Sequence, residues 1–225
     1  TMGVRHPVKL VITNYPEGKS ETVTVENNPT DPASGTHEIT FSRECWIEAD
    51  DFMEVPVPKY KRLTPNGPEC RLKGAYLITC TGCKKDENGN VVEVYAEYDP
   101  NSPGGDPADG RKVKGATIHW VDAATALDAE VRVYSELFSD PAPDGADKDF
   151  LACMNPDSLE VLTGCKVEPR MRDIAAAYDK TEKKGKTAPS FQFMRLGYFC
   201  LDNKDCSEDH LVFNRSVTLK DSFKK

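Results

Sequence analysis

The sequence predicts an all-β protein, a barrel or a sandwich, and three observations carry that expectation. Short runs of alternating apolar and polar residues recur along the chain. Turn formers, including 15 glycines and 16 prolines, stand between those runs. Helical periodicity is scarce. Alternation sends successive side chains to opposite faces, so each run can bury one face and wet the other. Many short strands with Gly/Pro punctuation fit a barrel or a sandwich.

The run Val8-Lys9-Leu10-Val11-Ile12-Thr13 opens the series. Strands are expected next at 21–25, 38–41 and 45–47, then at 71–80, 91–98, 116–121, 130–134, 191–201 and 211–219. Asn88-Gly89 stands between the runs 76–80 and 91–98. Asn-Gly tolerates the positive φ of a tight hairpin turn. The best helix candidate is 172–178, around Ala175, Ala176 and Ala177. The Lys- and Gly-rich stretch 179–187 reads as a mobile loop, and no internal repeat is visible.

A chain of 225 residues fits one large all-β domain or two small ones. It can bury a core without disulfide staples. With 38% hydrophobic and 29% charged residues, it is expected to be soluble and folded. No run approaches the roughly 18 apolar residues of a membrane span. Residues 1–9 lack the apolar core of a signal peptide, so no membrane partner and no secretion are expected. The eight cysteines (Cys45, Cys70, Cys80, Cys83, Cys153, Cys165, Cys200 and Cys206) are too sparse for a disulfide scaffold. Cys45, Cys70 and Cys200 sit in apolar strand-like runs, where cysteine behaves as a small hydrophobe. All eight are expected as reduced thiols of a cytoplasmic protein.

The net charge of -8 argues weakly against nucleic acid, but its distribution matters more than the sum. Lys59, Lys61, Arg62, Arg71 and Lys73 face a single acid, Glu69, over residues 59–73. Arg111, Lys112 and Lys114 form a second basic cluster, while acid collects at Asp140, Asp144, Asp147 and Asp149. Such a bipolar surface allows RNA on one side. Solvated surface charge accounts for the same counts.

Several motifs fail on inspection. Glu17-Gly18-Lys19-Ser20 echoes a phosphate loop, but Thr13 occupies its first glycine position, so a polar hairpin turn is expected. Asp86, Asn88, Asn90 and Glu97 have calcium-loop spacing, but Val91 replaces the obligatory glycine and the flanks read as strands. Asn214-Arg215-Ser216 is a glycosylation sequon, which matters only after secretion. Cys80 and Cys83 have zinc spacing, with Cys200, Cys206, His119 and His210 as loose partners; a four-ligand set is not evident, and no metal is expected. His6, His37, His119 and His210 have no nucleophile marked by a local motif, and His119 beside Trp120 is expected in the core.

Other features suit RNA. Lys59-Tyr60-Lys61-Arg62 interleaves an aromatic with bases. Phe191-Gln192-Phe193-Met194-Arg195 sets Gln192 between two aromatics; if both face the core, alternation turns Gln192 outward. Planar guanidinium and amide groups read base edges, whereas lysine mainly neutralises phosphate. Splayed RNA bases add faces for stacking.

These residues lie within longer strings that resemble a known family. Asp-Pro-Ala-Asp-Gly-Arg-Lys-Val-Lys-Gly at 106–115, followed by Ile118-His119-Trp120-Val121, is similar to the C-terminal half of glutaminyl-tRNA synthetases. So are the strings at 7–15, 130–134, 155–159, 191–193, 195–199 and 212–219, in order along almost the entire chain. The resemblance implies two β-barrels of ribosomal-protein type, a distal one at 59–124 and a proximal one from 1–58 with 125–225. It implies binding to the anticodon arm of the glutamine tRNA. It also implies ATP and Mg²⁺ chemistry in an upstream catalytic domain of the same polypeptide. That domain's His-Ile-Gly-His and Lys-Met-Ser-Lys-Ser-type signatures do not occur here, so no cofactor and no catalysis are expected of this chain.

By the same resemblance Arg62 matches an arginine that reads the third anticodon base. Arg71, with Lys73 in place of a usual arginine, matches the group around the first base. Gln192 matches a glutamine at the middle base, and Lys61 and Arg195 match positions near the anticodon backbone. Gly74 and Thr30 depart from the family's asparagines, and an arginine for the middle base would fall just before Thr1. Three alternatives stand beside this: the glutamyl-tRNA synthetase of archaeal and eukaryotic type, a free-standing ribosomal-type RNA-binding barrel, and an extracellular β-domain.

Overall fold

The computed structural model describes residues 1–28, 30–145, 148–180 and 187–219. The described strands are β1 (Gly3–Val4), β2 (Pro7–Ile12), β3 (Ser20–Glu26), β4 (Thr36–Ser42), β5 (Glu44–Glu48), β6 (Cys70–Leu72), β7 (Leu77–Lys85), β8 (Val91–Tyr98), β9 (Thr117–Ile118), β10 (Val121–Asp122), β11 (Leu127–Tyr134), β12 (Leu159–Val167), β13 (Ser190–Phe193), β14 (Gly197–Leu201) and β15 (Leu211–Val217). One α-helix, α1 (Arg170–Ala177), precedes β13 and buries Met171 and Ala175, one turn apart. The expected all-β class therefore holds. Among the described residues no helix is long and apolar enough to cross a membrane. Of the stretch expected as a loop at 179–187, residues 181–186 lie outside the described residues, as does Asp147.

The chain divides into two compact units, Thr1–Leu127 with Gly164–Arg170, and Asp128–Thr163 with Met171–Lys225. The first carries a barrel-like seven-stranded sheet ordered β10-β5-β2-β8-β7-β6-β9, plus the β3-β4 hairpin. Here β2 pairs with β5 antiparallel and with β8 parallel, and β6 pairs with β9 parallel. Period-two burial is visible in β2, where Val8, Leu10 and Ile12 are buried. An aromatic cluster fills the interior. Phe41 meets Tyr15 at 5.1 Å and Trp120 at 5.2 Å edge-on, and Tyr76 meets Tyr98 at 5.0 Å. Such pairs contribute about 0.5–1.5 kcal/mol each beyond burial. The Tyr15 and Tyr76 hydroxyls both donate to Glu21 Oε1 at 2.9 Å, which satisfies their polar ends.

In the second unit the strand order is β12-β11-β15-β14-β13, with β11 parallel to β15. Its core is a phenylalanine stack: Phe193 lies 4.4 Å from Phe199 and 5.1 Å from Phe213. Beside it Asp202 accepts from Asn214 Nδ2 at 2.7 Å and from the Lys204 and Asp205 amides. Asn214, the sequon residue, is engaged there and with the Tyr134 hydroxyl.

Three expected strands are interrupted. The run 71–80 breaks after Leu72, where Gly74 at φ 74° lets Leu72 N–H reach the Tyr76 carbonyl at 2.9 Å and close a tight hairpin. The run 191–201 turns at Arg195, φ 68°, with Leu196 N–H on the Phe193 carbonyl. His119 and Trp120 separate β9 from β10. Strand β12 lies outside the expected runs: Gly164 sits inside it at φ 73°, and no side chain before Cys165 is buried, so alternation against a core leaves little trace. The β7-β8 hairpin forms around Gly89 at φ 83°. Asp86 Oδ1 accepts from the Asn88 and Asn90 amides at 2.9 and 2.8 Å, so the calcium-like spacing is a capped turn.

Candidate nucleic-acid interface

The six sequence-predicted site residues fall on both units. Lys61, Arg62, Arg71 and Lys73 belong to the first unit, Gln192 and Arg195 to the second. In the first unit the segment 115–118 ties its members together. Ala116 N–H donates to the Lys61 carbonyl at 2.7 Å, Arg71 N–H to the Ala116 carbonyl at 3.0 Å, and Lys73 N–H to the Ile118 carbonyl at 2.9 Å. Gly115 is required here, because a Cβ would lie 2.1 Å from the Glu69 carbonyl oxygen. Leu72 is fully buried between Arg71 and Lys73, so alternation sets those two cations on the opposite face.

Arg62 follows from a different contact. A short 3₁₀ turn, Ala49–Asp51, ends β5 and delivers Asp51. Leu63 N–H donates to the Asp51 carbonyl at 2.9 Å and Met53 N–H to the Leu63 carbonyl at 3.0 Å. These bonds bring Arg62 Nε within 3.4 Å of the buried Asp51 carboxylate, and Nη1 donates to the Asp50 carbonyl at 3.1 Å. The Arg62 side chain remains 40% exposed. The Tyr60 hydroxyl donates to the same Asp50 carbonyl at 3.0 Å. Arg71 is held as firmly: Nε donates to the Gly105 carbonyl at 2.6 Å and Nη2 to Asp106 Oδ1 at 3.0 Å. Lys61 is exposed and Lys73 half-buried.

The second basic cluster changes meaning. Arg111 is enclosed by carboxylates, donating to Glu69 at 2.7 Å, Asp99 at 2.9 Å and Asp109 at 2.9 Å. These bonds, Glu69 first, raise the guanidinium's pKa well above its ordinary value. Arg111 therefore fastens the loop that carries Gly105 and Asp106, and Lys112 and Lys114 are the exposed cations of that stretch.

In the second unit Gln192 lies on β13 opposite Tyr198 of β14. Phe193 is buried and Gln192 exposed, so the expected division of faces is present. Arg195 occupies the β13-β14 turn.

Other candidates resolve as structure. Buried His119 has Nε2 3.7 Å from Glu48 Oε1. Burial pushes the Glu48 carboxyl up, but His119 and the Arg5 and His6 amides outweigh it and hold the pKa below the usual value. Gly18 at φ 70° makes the phosphate-loop echo a turn entering β3. The eight cysteines, all described, form no disulfide. Cys80 and Cys83 both lie on β7, and among the described residues no group of three or more His, Cys, Asp or Glu is placed to hold a metal. Sequence reasoning missed Asp51, Asp50 and Gly105, whose contacts with Arg62 and Arg71 span 11, 12 and 34 positions and leave no local pattern.

Arg62 and Arg71 are each anchored by part of the guanidinium while the side chain stays partly exposed, an arrangement able to meet planar, electronegative groups. The family follows from comparison. Two models described as tRNA synthetases class I (E and Q), anti-codon binding domain, match residues 1–99 and 117–202, and the chain belongs to that family. It is 50% identical over 224 residues to the glutamine--tRNA ligase of Clostridioides difficile (strain 630), covering 100% of this chain and 38% of that protein. It is 50% identical over 225 residues to that of Clostridium kluyveri, covering 100% of this chain and 38% of that protein. It is also 50% identical over 224 residues to that of Bordetella pertussis (strain Tohama I), covering 99% of this chain and 36% of that protein. The chain thus spans well under half the length of these curated relatives.

Proposed function

We propose that this chain is the anticodon-binding part of a cytoplasmic glutamine--tRNA ligase and that it grips the anticodon arm of the glutamine tRNA. Catalysis with ATP and Mg²⁺ then belongs to other parts of the polypeptide. The observation that carries the reading is the pair of anchored, part-exposed guanidiniums at Arg62 and Arg71. The names of the similar ligases support the glutamine assignment. Arg62 offers donors to the third anticodon base, Arg71 and Lys73 serve the first, and Gln192 serves the middle one. Lys61 and Arg195 neutralise the backbone.

The test is a titration of the chain with a glutamine anticodon stem-loop and with three versions, each changed at one anticodon base. The reading expects tighter binding to the cognate loop than to each swapped loop, with affinity falling as salt rises. Equal binding to all four loops would defeat it.

A further inference from the structure

Arg62 carries an anchor that the resemblance does not supply. The Asp51 side chain is fully buried, yet it is a carboxylate, and its Oδ1 lies 3.4 Å from Arg62 Nε. A buried carboxylate is costly unless paired, so its position is set by its partners rather than by solvent. The backbone on either side is pinned. Phe52 N–H closes the 3₁₀ turn on the Ala49 carbonyl at 3.2 Å, Ala49 N–H donates to the His6 carbonyl at 2.8 Å, and Leu63 N–H takes the Asp51 carbonyl. The guanidinium is thus gripped on two atoms: Nε by the carboxylate and Nη1 by the Asp50 carbonyl, which also accepts from Tyr60. Guanidinium has five N–H donors in a rigid plane. Holding Nε and Nη1 together fixes that plane, and the side chain stays 40% exposed, within reach of an outside acceptor.

We infer that Asp51 is a positioning residue for specificity: it orients the Arg62 fork so that the third anticodon base is read by direction rather than attracted by charge alone. The inference rests on the base-reading role proposed for Arg62. A free arginine would reach phosphate and base with little distinction and would lose side-chain entropy on binding. A fork held in advance gives up less and presents its donors at one angle.

The experiment measures third-base preference, the ratio of Kd for a third-base-swapped stem-loop to Kd for the cognate one, at fixed salt. Wild type, Asp51→Asn, Arg62→Ala and the double variant are compared, with thermal unfolding recorded for each. Asn keeps the shape and removes the charge. A base-edge contact by arginine is worth roughly 5- to 150-fold in discrimination, by analogy with the DNA case. Asp51→Asn should lose most of the ratio seen to vanish in Arg62→Ala, while cognate affinity falls less. The double variant should lose nothing beyond Arg62→Ala, a coupling that general destabilisation would not produce. The inference is overturned if Asp51→Asn keeps the wild-type ratio while Arg62→Ala loses it. If Arg62→Ala also keeps the ratio, the underlying base-reading role falls instead. Should Asp51→Asn fail to fold, the wild-type protein alone decides: the Arg62 Nε–H resonance should be sharp and slow to exchange with water. Rapid exchange like that of an exposed arginine overturns the inference.

Discussion

The Gly105 carbonyl accepts from Arg71 Nε at 2.6 Å, and a Cβ on Gly105 would lie 2.5 Å from Arg71 Cγ. Glycine at this position both seats the arginine and makes room for it. Its φ of 86° adds a second demand, since side chains other than glycine's are strained there. Gly105→Ala should therefore expel Arg71 from its seat and weaken binding to the cognate stem-loop. The strain should lower stability by about 1–2 kcal/mol. Unchanged affinity in the folded variant would show that the seat is irrelevant to binding.

Buried carboxylates predict the acid behaviour. In Glu48, Glu168 and Asp202, burial pushes the pKa up, but hydrogen bonds and nearby positive charge outweigh it and leave each pKa lowered. For Glu168 these partners are His37, Arg170 and the Met2 amide. A folded pKa below the unfolded one means that the folded state binds the proton more weakly. That stabilisation is complete above the unfolded carboxyl range, near pH 4, and is lost as pH falls through the lower folded values. Urea midpoints should hold from neutrality to about pH 5 and then drop. Glu48→Gln should show a lower plateau and a shallower acid limb; an acid limb as steep as wild type would contradict the assignment.

Phe213 anchors the second unit. It is fully buried and packs edge-on against both Phe191 and Phe193. Phe213→Ala should cost about 3–5 kcal/mol, measured by denaturant unfolding, because it removes transfer energy and opens a cavity. A loss below about 1 kcal/mol would mean that the core collapses around the gap.

The thiols should differ in reactivity along one strand. Burial pushes the Cys80 thiol up to about 11, and Cys80 faces inward, whereas Cys83 is partly exposed. In native protein at neutral pH, an alkylating reagent should modify Cys83 well before Cys80, since the thiolate is the nucleophile. After denaturation without reductant all eight should titrate. Preferential labelling of Cys80, or stoichiometric zinc by elemental analysis, would contradict this picture.

Much of the fold was legible because alternation writes itself into sequence wherever one face is buried, as in β2 and β8. It failed where that condition fails. β12 buries no side chain before Cys165, and Gly164 inside it reads as a turn. The tight turns at Gly74 and Arg195 hid within long apolar runs, since positive φ falls on one residue in the first and on only Arg195 and Gly197 in the second. For the candidate site, the cations themselves were legible from local charge and from family resemblance. Their anchors were not. Asp51 reaches Arg62 beside the isolated Phe52–Leu63 bridge, and Gly105 reaches Arg71 from a 3₁₀ turn 34 positions along the chain. Arg111 looked like a surface cation until Glu69, Asp99 and Asp109 enclosed it.

In the proposed function Arg62 reads a base while its neighbour Lys61 only neutralises charge. The most direct measurement titrates wild type, Arg62→Ala and Lys61→Ala with cognate and third-base-swapped glutamine anticodon stem-loops at two salt concentrations. Arg62→Ala should erase the preference for the cognate third base. Lys61→Ala should weaken all loops alike and flatten the salt dependence, because a phosphate contact carries no base information. If the two variants behave identically on every loop, Arg62 does not read the base.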